Sequence, residues 1–328
     1  MMDERPLGIP EGAGKVWHSM YQLDHVLVGR VWDVAAQEFI TPETLRERAV
    51  GADFVLLGEK HDNIDHHQLQ AWFVNQEVGN GRYRAFAMEM LASNQVQQLE
   101  DYLTAYPFDS LGLGAAVGWE RSGWPDWFTY QPVVEAALKA RVPVLAASFS
   151  RNTIRSIVKE GYRVLPVEQV MALGLNKPIP MNLDQIMEQV IRDSHLGALS
   201  EHLVKAMVHM QIAKDARMAS VLINNSATPG IDGALLIAGG GHIRKDIGVP
   251  WHIGRLAPGR KVLALAMLEV QKEYVNPTDY LEAFPGADAI PYDYVWFTPR
   301  KNPGDDHKDN IEIIRKAVKE RSESENFQ

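Results

Sequence analysis

The sequence predicts an α/β fold: a mostly parallel central sheet flanked by helices, with an inserted helical lid subdomain. Three observations predict it. Five short runs are apolar throughout, without alternation, as strands covered on both faces are. Helical patterns separate most consecutive runs, as crossovers between parallel strands require. Several runs end in small, acidic or imidazole residues, where ligands bind in open sheets of this kind.

The expected strands are residues 53–57, 84–88, 142–147, 234–238 and 261–267. Thr41-Pro42-Glu43 reads as an N-cap followed by proline at the first helical position. Further helices are expected over 65–76, 93–102 and 131–140, the last as a short crossover before the third strand. Between about 152 and 222 no strand pattern occurs, but 183–192 and 199–222 are helical in pattern. The chain therefore divides into a parent α/β domain (1–151 and 226–304), an inserted helical lid (152–225) and a charged C-terminal tail (305–328).

Composition bounds the function. The 328 residues exceed the roughly 150 of an ordinary domain, which suggests two. Hydrophobic residues at 46% and charged residues at 23% describe a packed protein. Lys and Arg total 33 against 42 Asp and Glu, a net charge of −9, so nucleic acid is not an expected partner. There is no cysteine, which excludes disulfides, thiolate metal sites and thiol nucleophiles and leaves the compartment open. The opening residues Met1 to Pro6 carry no apolar core of a signal peptide. The longest apolar stretches, such as 262–268, are too short to cross a bilayer, so no transmembrane segment is expected.

Polar residues collect at three strand ends. The first strand runs into Gly58-Glu59-Lys60-His61-Asp62-Asn63 and on to Asp65-His66-His67; the second ends at Glu89; the fourth at Gly239-Gly240-Gly241-His242. Each has a structural reading. Glu89 can be a charge at a helix N-terminus, His61 a hydrogen-bonded turn residue, and one of His66 and His67 a solvent-facing helical position. The glycine run can be a tight turn, since the Lys-Ser/Thr ending of a phosphate loop is missing. Taken together, two Gly-x-x-His turns and a Glu after a third strand point to one shared site. His61, Glu89 and His242 have the chemistry to hold Zn, Mn or Fe, with Glu59 as general base of a metal-dependent hydrolase. The same rim suits a larger iron-bearing group.

The lid adds candidates. His195, His202 and His209 recur every seven residues, and the last two read as an exposed polar face. Gln211 and Asp215 interrupt the apolar stripe Val208, Met218 and Leu222, so they either fix the lid to the rim or line the site. Residues 119–132 carry Trp119, Trp124, Trp127, Phe128 and Tyr130, read as a loop packed on the core. Such a loop also offers stacking surfaces for a porphyrin, and tyrosine can ligate iron.

Eight spaced motifs resemble the ChaN-like haem-binding uptake proteins of the Tiki and erythromycin-esterase superfamily. They are Leu56-Leu57-Gly58-Glu59-x-His61-Asp62-Asn63 with His66-His67, Met88-Glu89-Met90, Trp127 with Tyr130-x-Pro132, and Ser194-His195. Gln211 with Asp215-Ala216-x-Met218-Ala219, Gly239-x-Gly241-His242, Gly248-Val249-Pro250 and Tyr294-x-Trp296 complete the set. The resemblance implies haem as cofactor, bacterial haem or iron acquisition, and a periplasmic or envelope location. It also implies a homodimer sharing paired haems. By analogy with the superfamily's hydrolases, Glu59, His61, Glu89 and His242 form the polar centre. Tyr130 and His195 are the candidate haem contacts, with His66, His67, Gln211 and Asp215 beside them. Two departures stand out. Lys60 replaces a small hydroxyl residue and is placed to pair with Glu59 or to repel a metal, and the missing cysteine leaves no lipobox for an anchor.

Overall fold

The computed structural model describes residues 10, 16–79, 82–194, 199–281 and 289–303. Among them are eight strands: β1 (Val31–Asp33), β2 (Glu38–Ile40), β3 (Phe54–Glu59), β4 (Arg84–Ala92), β5 (Val144–Ser148), β6 (Gly233–Gly239), β7 (Val262–Glu269) and β8 (Tyr294–Thr298). They form one sheet in the order β2-β1-β8-β7-β3-β6-β4-β5. The six strands from β8 to β5 run parallel; β1 pairs antiparallel with both β8 and β2. The central strands β3 and β6 are buried along their whole length, which is why their sequences do not alternate.

The five strands expected from the sequence are β3, β4, β5, β6 and β7. The other three were not anticipated, for physical reasons. β1 and β2 have three residues each, and the turn joining them has Gln37 in left-handed backbone without the usual glycine or asparagine signal. Among the described residues only a short 3-10 turn, Pro277–Tyr280, stands between β7 and β8, so the alternation that marked the other strands gives no signal for it.

The helices are α1 (Pro42–Ala49), α2 (Ile64–Gly79), α3 (Val96–Ala105), α4 (Ser110–Ala116), α5 (Trp127–Lys139), α6 (Arg151–Glu160), α7 (Val167–Ala172), α8 (Met181–Ser194), α9 (Glu201–Ser226) and α10 (Val249–Leu256). Thr41 caps α1 by accepting from the Thr44 amide. α5 starts four residues earlier than expected and carries Pro132 inside it, so the aromatic segment is a 3-10 turn leading into a helix and not a loop. α4 was missed because Gly112 and Gly114 depress helix propensity. At Gly114 a Cβ would lie 2.5 Å from the Trp127 ring, so glycine is needed where α5 crosses.

Right-handed crossovers put α2 and α5 on one face of the sheet and α9 and α10 on the other. The packing agrees, α2 against α5 and α10 against α9. A large apolar core surrounds the sheet, and a second cluster, with Ile157, Leu173, Ile186, Val204, Val208 and Ile212, fills the helical region. α9 belongs to both: Val204 to Ala216 serve the helical cluster, and Met218 to Leu222 serve the sheet core. The tail 305–328 lies outside the described residues. Among the described residues no helix is long and apolar enough to cross a membrane.

Candidate functional site

Strand order explains why remote residues meet. β6 lies between β3 and β4, all parallel, with Glu59 opposite Gly239 and Met88 opposite Ile237. Glu59 and Gly239 close β3 and β6 and lead into His61 and His242 at the carboxyl edge, whereas Glu89, expected to follow its strand, lies inside β4 where the pairing with β5 turns irregular between Met88 and Ala92. Glu59, His61, Glu89 and His242 are brought together there.

Glu59 is 4% exposed and fully partnered. Its Oε1 faces His61 Nδ1 at 2.8 Å and accepts from the Tyr130 hydroxyl at 2.6 Å, while its Oε2 accepts from Gln70 at 2.8 Å. His67 Nε2 stands 3.4 Å from the same Oε2. Burial pushes this carboxyl up, but the imidazoles of His67 and His61 outweigh it and hold Glu59 well below the usual range. Asn63 caps α2 through the Asp65 and His66 amides, which aims His67 and Gln70, one turn apart, at Glu59.

Glu89 is 1% exposed and links the strands. Its Oε2 accepts from the Gly239 amide at 2.9 Å, and its Oε1 accepts from Lys214 at 2.7 Å and lies 3.1 Å from His242 Nε2. His61 Nε2 is 3.8 Å from Oε2. Gly239 must be glycine for this approach, since a Cβ there would lie 2.9 Å from His61 Nε2. His242 is held from α9: Asp215 at 2.5 Å and the Gln211 amide at 2.8 Å on Nδ1, and Lys214 at 2.9 Å on Nε2. Burial lowers the His242 pKa, but Glu89 and Asp215 outweigh both burial and Lys214 and raise it to about 9. Burial pushes Asp215 up, and His61 is raised against its burial by Glu59 and Glu89.

The other predicted residues lie as follows. Gln211 and Asp215 tie α9 to the rim through His242. Tyr130 is fully buried, its hydroxyl donating to Glu59 and the His61 carbonyl. His66 and His67 are both fully buried, so neither faces solvent. His66 accepts from the Lys60 amide and meets the Thr298 hydroxyl, and burial pushes its pKa down to about 3. His202 and His209 are exposed, and His195 lies outside the described residues. Lys60 pairs with Glu269 at 3.0 Å, not with Glu59.

Lys214 was not anticipated, and it changes the chemistry. Its ammonium stands between Glu89 and His242, the position the metal reading assigned to an ion. Among the described residues no group of three or more His, Asp or Glu side chains is arranged to hold a metal. The signal was present: Lys214 is three residues after Gln211 on the stripe that exposed Asp215.

Glu89 and Lys214 both line a cleft of about 630 Å3. Its lining also includes the apolar Trp124, Phe149, Ile154 and Met210 and the cationic Arg121, Arg151 and Arg155. Trp124 also meets the His61 ring edge-on at 4.7 Å. Of the five aromatic residues in 119–132, Trp119, Trp127 and Tyr130 are buried in the core; Trp124 is half-buried and Phe128 exposed.

Residues 45–253 match the family described as haem-binding uptake, Tiki superfamily, ChaN. The chain belongs to this family. Among solved structures, ChaN of Campylobacter jejuni, described with cofacial haem binding, is similar at 24% identity and a TM-score of 0.62. The match covers 81% of this chain and 95% of that one. Erythromycin esterase EreC in its open conformation is similar at 15% identity and a TM-score of 0.40, covering 69% of this chain and 72% of that one. No curated protein sequence matches the chain.

Proposed function

We propose that this chain binds haem in the cleft lined by Glu89 and Lys214, as a haem-handling protein of bacterial iron acquisition at the cell envelope. The observation that carries this reading is the cleft itself. Its volume of about 630 Å3 falls within the range of pockets that enclose organic ligands. The surface of Trp124, Phe149 and Ile154 suits a flat apolar ring, and Arg121, Arg151 and Arg155 suit the carboxylates at a porphyrin's edge. Family membership supports the choice of ligand.

Haem, when bound, supplies an iron centre. Of the imidazoles at the rim, His61 would hold it: its side chain is 32% exposed, Glu59 occupies Nδ1, and Nε2 lies 3.8 Å from Glu89, which lines the cleft. Tyr130, His66 and His67 are fully buried and serve the rim from beneath. The proposal extends to a homodimer sharing paired haems, which sedimentation with and without haem tests, and to an envelope location, which cell fractionation tests.

Hemin titration of the apo protein tests the ligand. A saturable, shifted Soret band is expected, weakened by more than about tenfold in His61→Ala, as loss of metal-site partners typically does. An unshifted or unsaturable band overturns the proposal.

A further inference from the structure

We infer that a second pocket, on the other side of α9 from the rim, is a binding site for a small oxyanion, a carboxylate or a phosphate. It has a volume of about 260 Å3 and is lined by residues of α8, α9, α10 and the stretch 174–179. On α9, His209 and Ile212 face this pocket, whereas Lys214 and Asp215 face the rim. Leu175, Ile179 and Ile212 are its apolar part; Lys177, Asp184, His209, His252 and Arg255 are its polar groups.

His252 carries the inference. It is 3% exposed and touches Trp251 edge-on; its backbone amide donates to the Gly248 carbonyl, but its ring makes no hydrogen bond to any described residue. Yet it lines the pocket. Burial, with Arg255 acting in the same direction, pushes its pKa down to about 3, so the ring is neutral and offers one N–H. Buried polar side chains are almost always partnered, and this one faces open space.

The charges around it select the partner. Lys177 and Arg255, two permanent cations, line the pocket together with one carboxylate, Asp184, and among the described residues none of the three has an ion pair. Arg255 lies over the Trp251 ring at 4.6 Å, a contact that does not use its N–H groups. His209 packs on Tyr162, whose hydroxyl donates to the His209 carbonyl, closing that side. One excess positive charge and a buried N–H donor suit an oxyanion; Asp184 opposes it and limits how much negative charge the pocket accepts.

Titration calorimetry of the full chain with inorganic phosphate and, separately, succinate tests the site. Saturable binding of one or both at one per chain is expected; phosphate alone identifies a phosphoryl ligand, and succinate alone an organic acid. Lys177→Ala and Arg255→Ala, both on the accessible side, should each weaken binding by about tenfold, the loss of roughly one charge-assisted contact. Asp184→Asn should tighten it, and His252→Leu should abolish it while hemin titration stays unchanged in all four variants. Absence of saturable binding by either anion, or binding indifferent to Lys177→Ala and Arg255→Ala, overturns the inference.

Discussion

The two Gly-x-x-His turns leave neighbouring strands in register, yet they hold their imidazoles differently. At the first, His61 leans on Glu59, two residues before it, and keeps 32% of its side chain exposed beside Trp124. At the second, His242 is 9% exposed at its side chain and is gripped by Gln211, Lys214 and Asp215 from α9. The first turn carries its own carboxylate partner and stays accessible. The second has only glycines before its histidine, so its partners come from another element, and α9 is locked down in supplying them. Accessibility and charge balance are thus divided between the turns: one can meet a ligand, the other fixes the helical region to the sheet.

The largest expected effect comes from breaking the second turn's charge balance. Glu89→Ala leaves Lys214 and His242 without their shared carboxylate, and breaking a buried ion pair from one side costs about 3–5 kcal/mol. Chemical denaturation reads this directly; a loss below about 1 kcal/mol would mean that Glu89 does not join the strands to α9. Tyr130→Phe removes a neutral donor from Glu59 at the first turn, where His61 and Gln70 remain. A hydrogen bond to a charged group contributes about 1.5–3 kcal/mol, so a loss in that range is expected, with the hemin spectrum unchanged.

The subtlest test is pH. The folded pKa of His242, about 9, lies above its ordinary 6.5, so its stabilisation is complete below 6.5 and is lost as pH rises toward 9. His61, also raised, acts in the same direction. Glu59 and Glu89 are lowered from 4.5, so theirs is present above 4.5 and lost as pH falls below it. Asp215, raised from 3.8, works against them, its contribution declining as pH rises. His66 and His252, both lowered to about 3, add stability as pH rises to 6.5, so the melting temperature should be highest near 6.5 and fall on the alkaline side, where His242→Gln should flatten the decline. An alkaline limb identical in the variant would assign the loss to other groups.

Much of the site was legible because polar residues just past an apolar run announce themselves: Glu59, His61, Glu89 and His242 each lie within a few residues of one. Gln211 and Asp215 were visible as polar interruptions of a helical stripe. Tyr130 and His67 were legible as residues but not in their depth, since periodicity does not say which helix face lies under a carboxylate. Lys214 escaped because a long basic side chain on a helix reads as solvated until a buried carboxylate is known to face it. The Trp119-to-Pro132 aromatics were read partly as a stacking platform; most are core, because α5 crosses tightly over Gly114.

By itself the sequence determined the parallel sheet's interior strands, through apolar runs that only two-sided burial explains, and the two turns that carry polar groups off their ends. Only the tertiary structure decided the strand order that places β6 between β3 and β4, the depth of each histidine, and the insertion of an ammonium between Glu89 and His242. The reason is physical: apolar patterning is local and is read within one segment. Charge pairing and burial depend on neighbours that arrive from more than a hundred residues away.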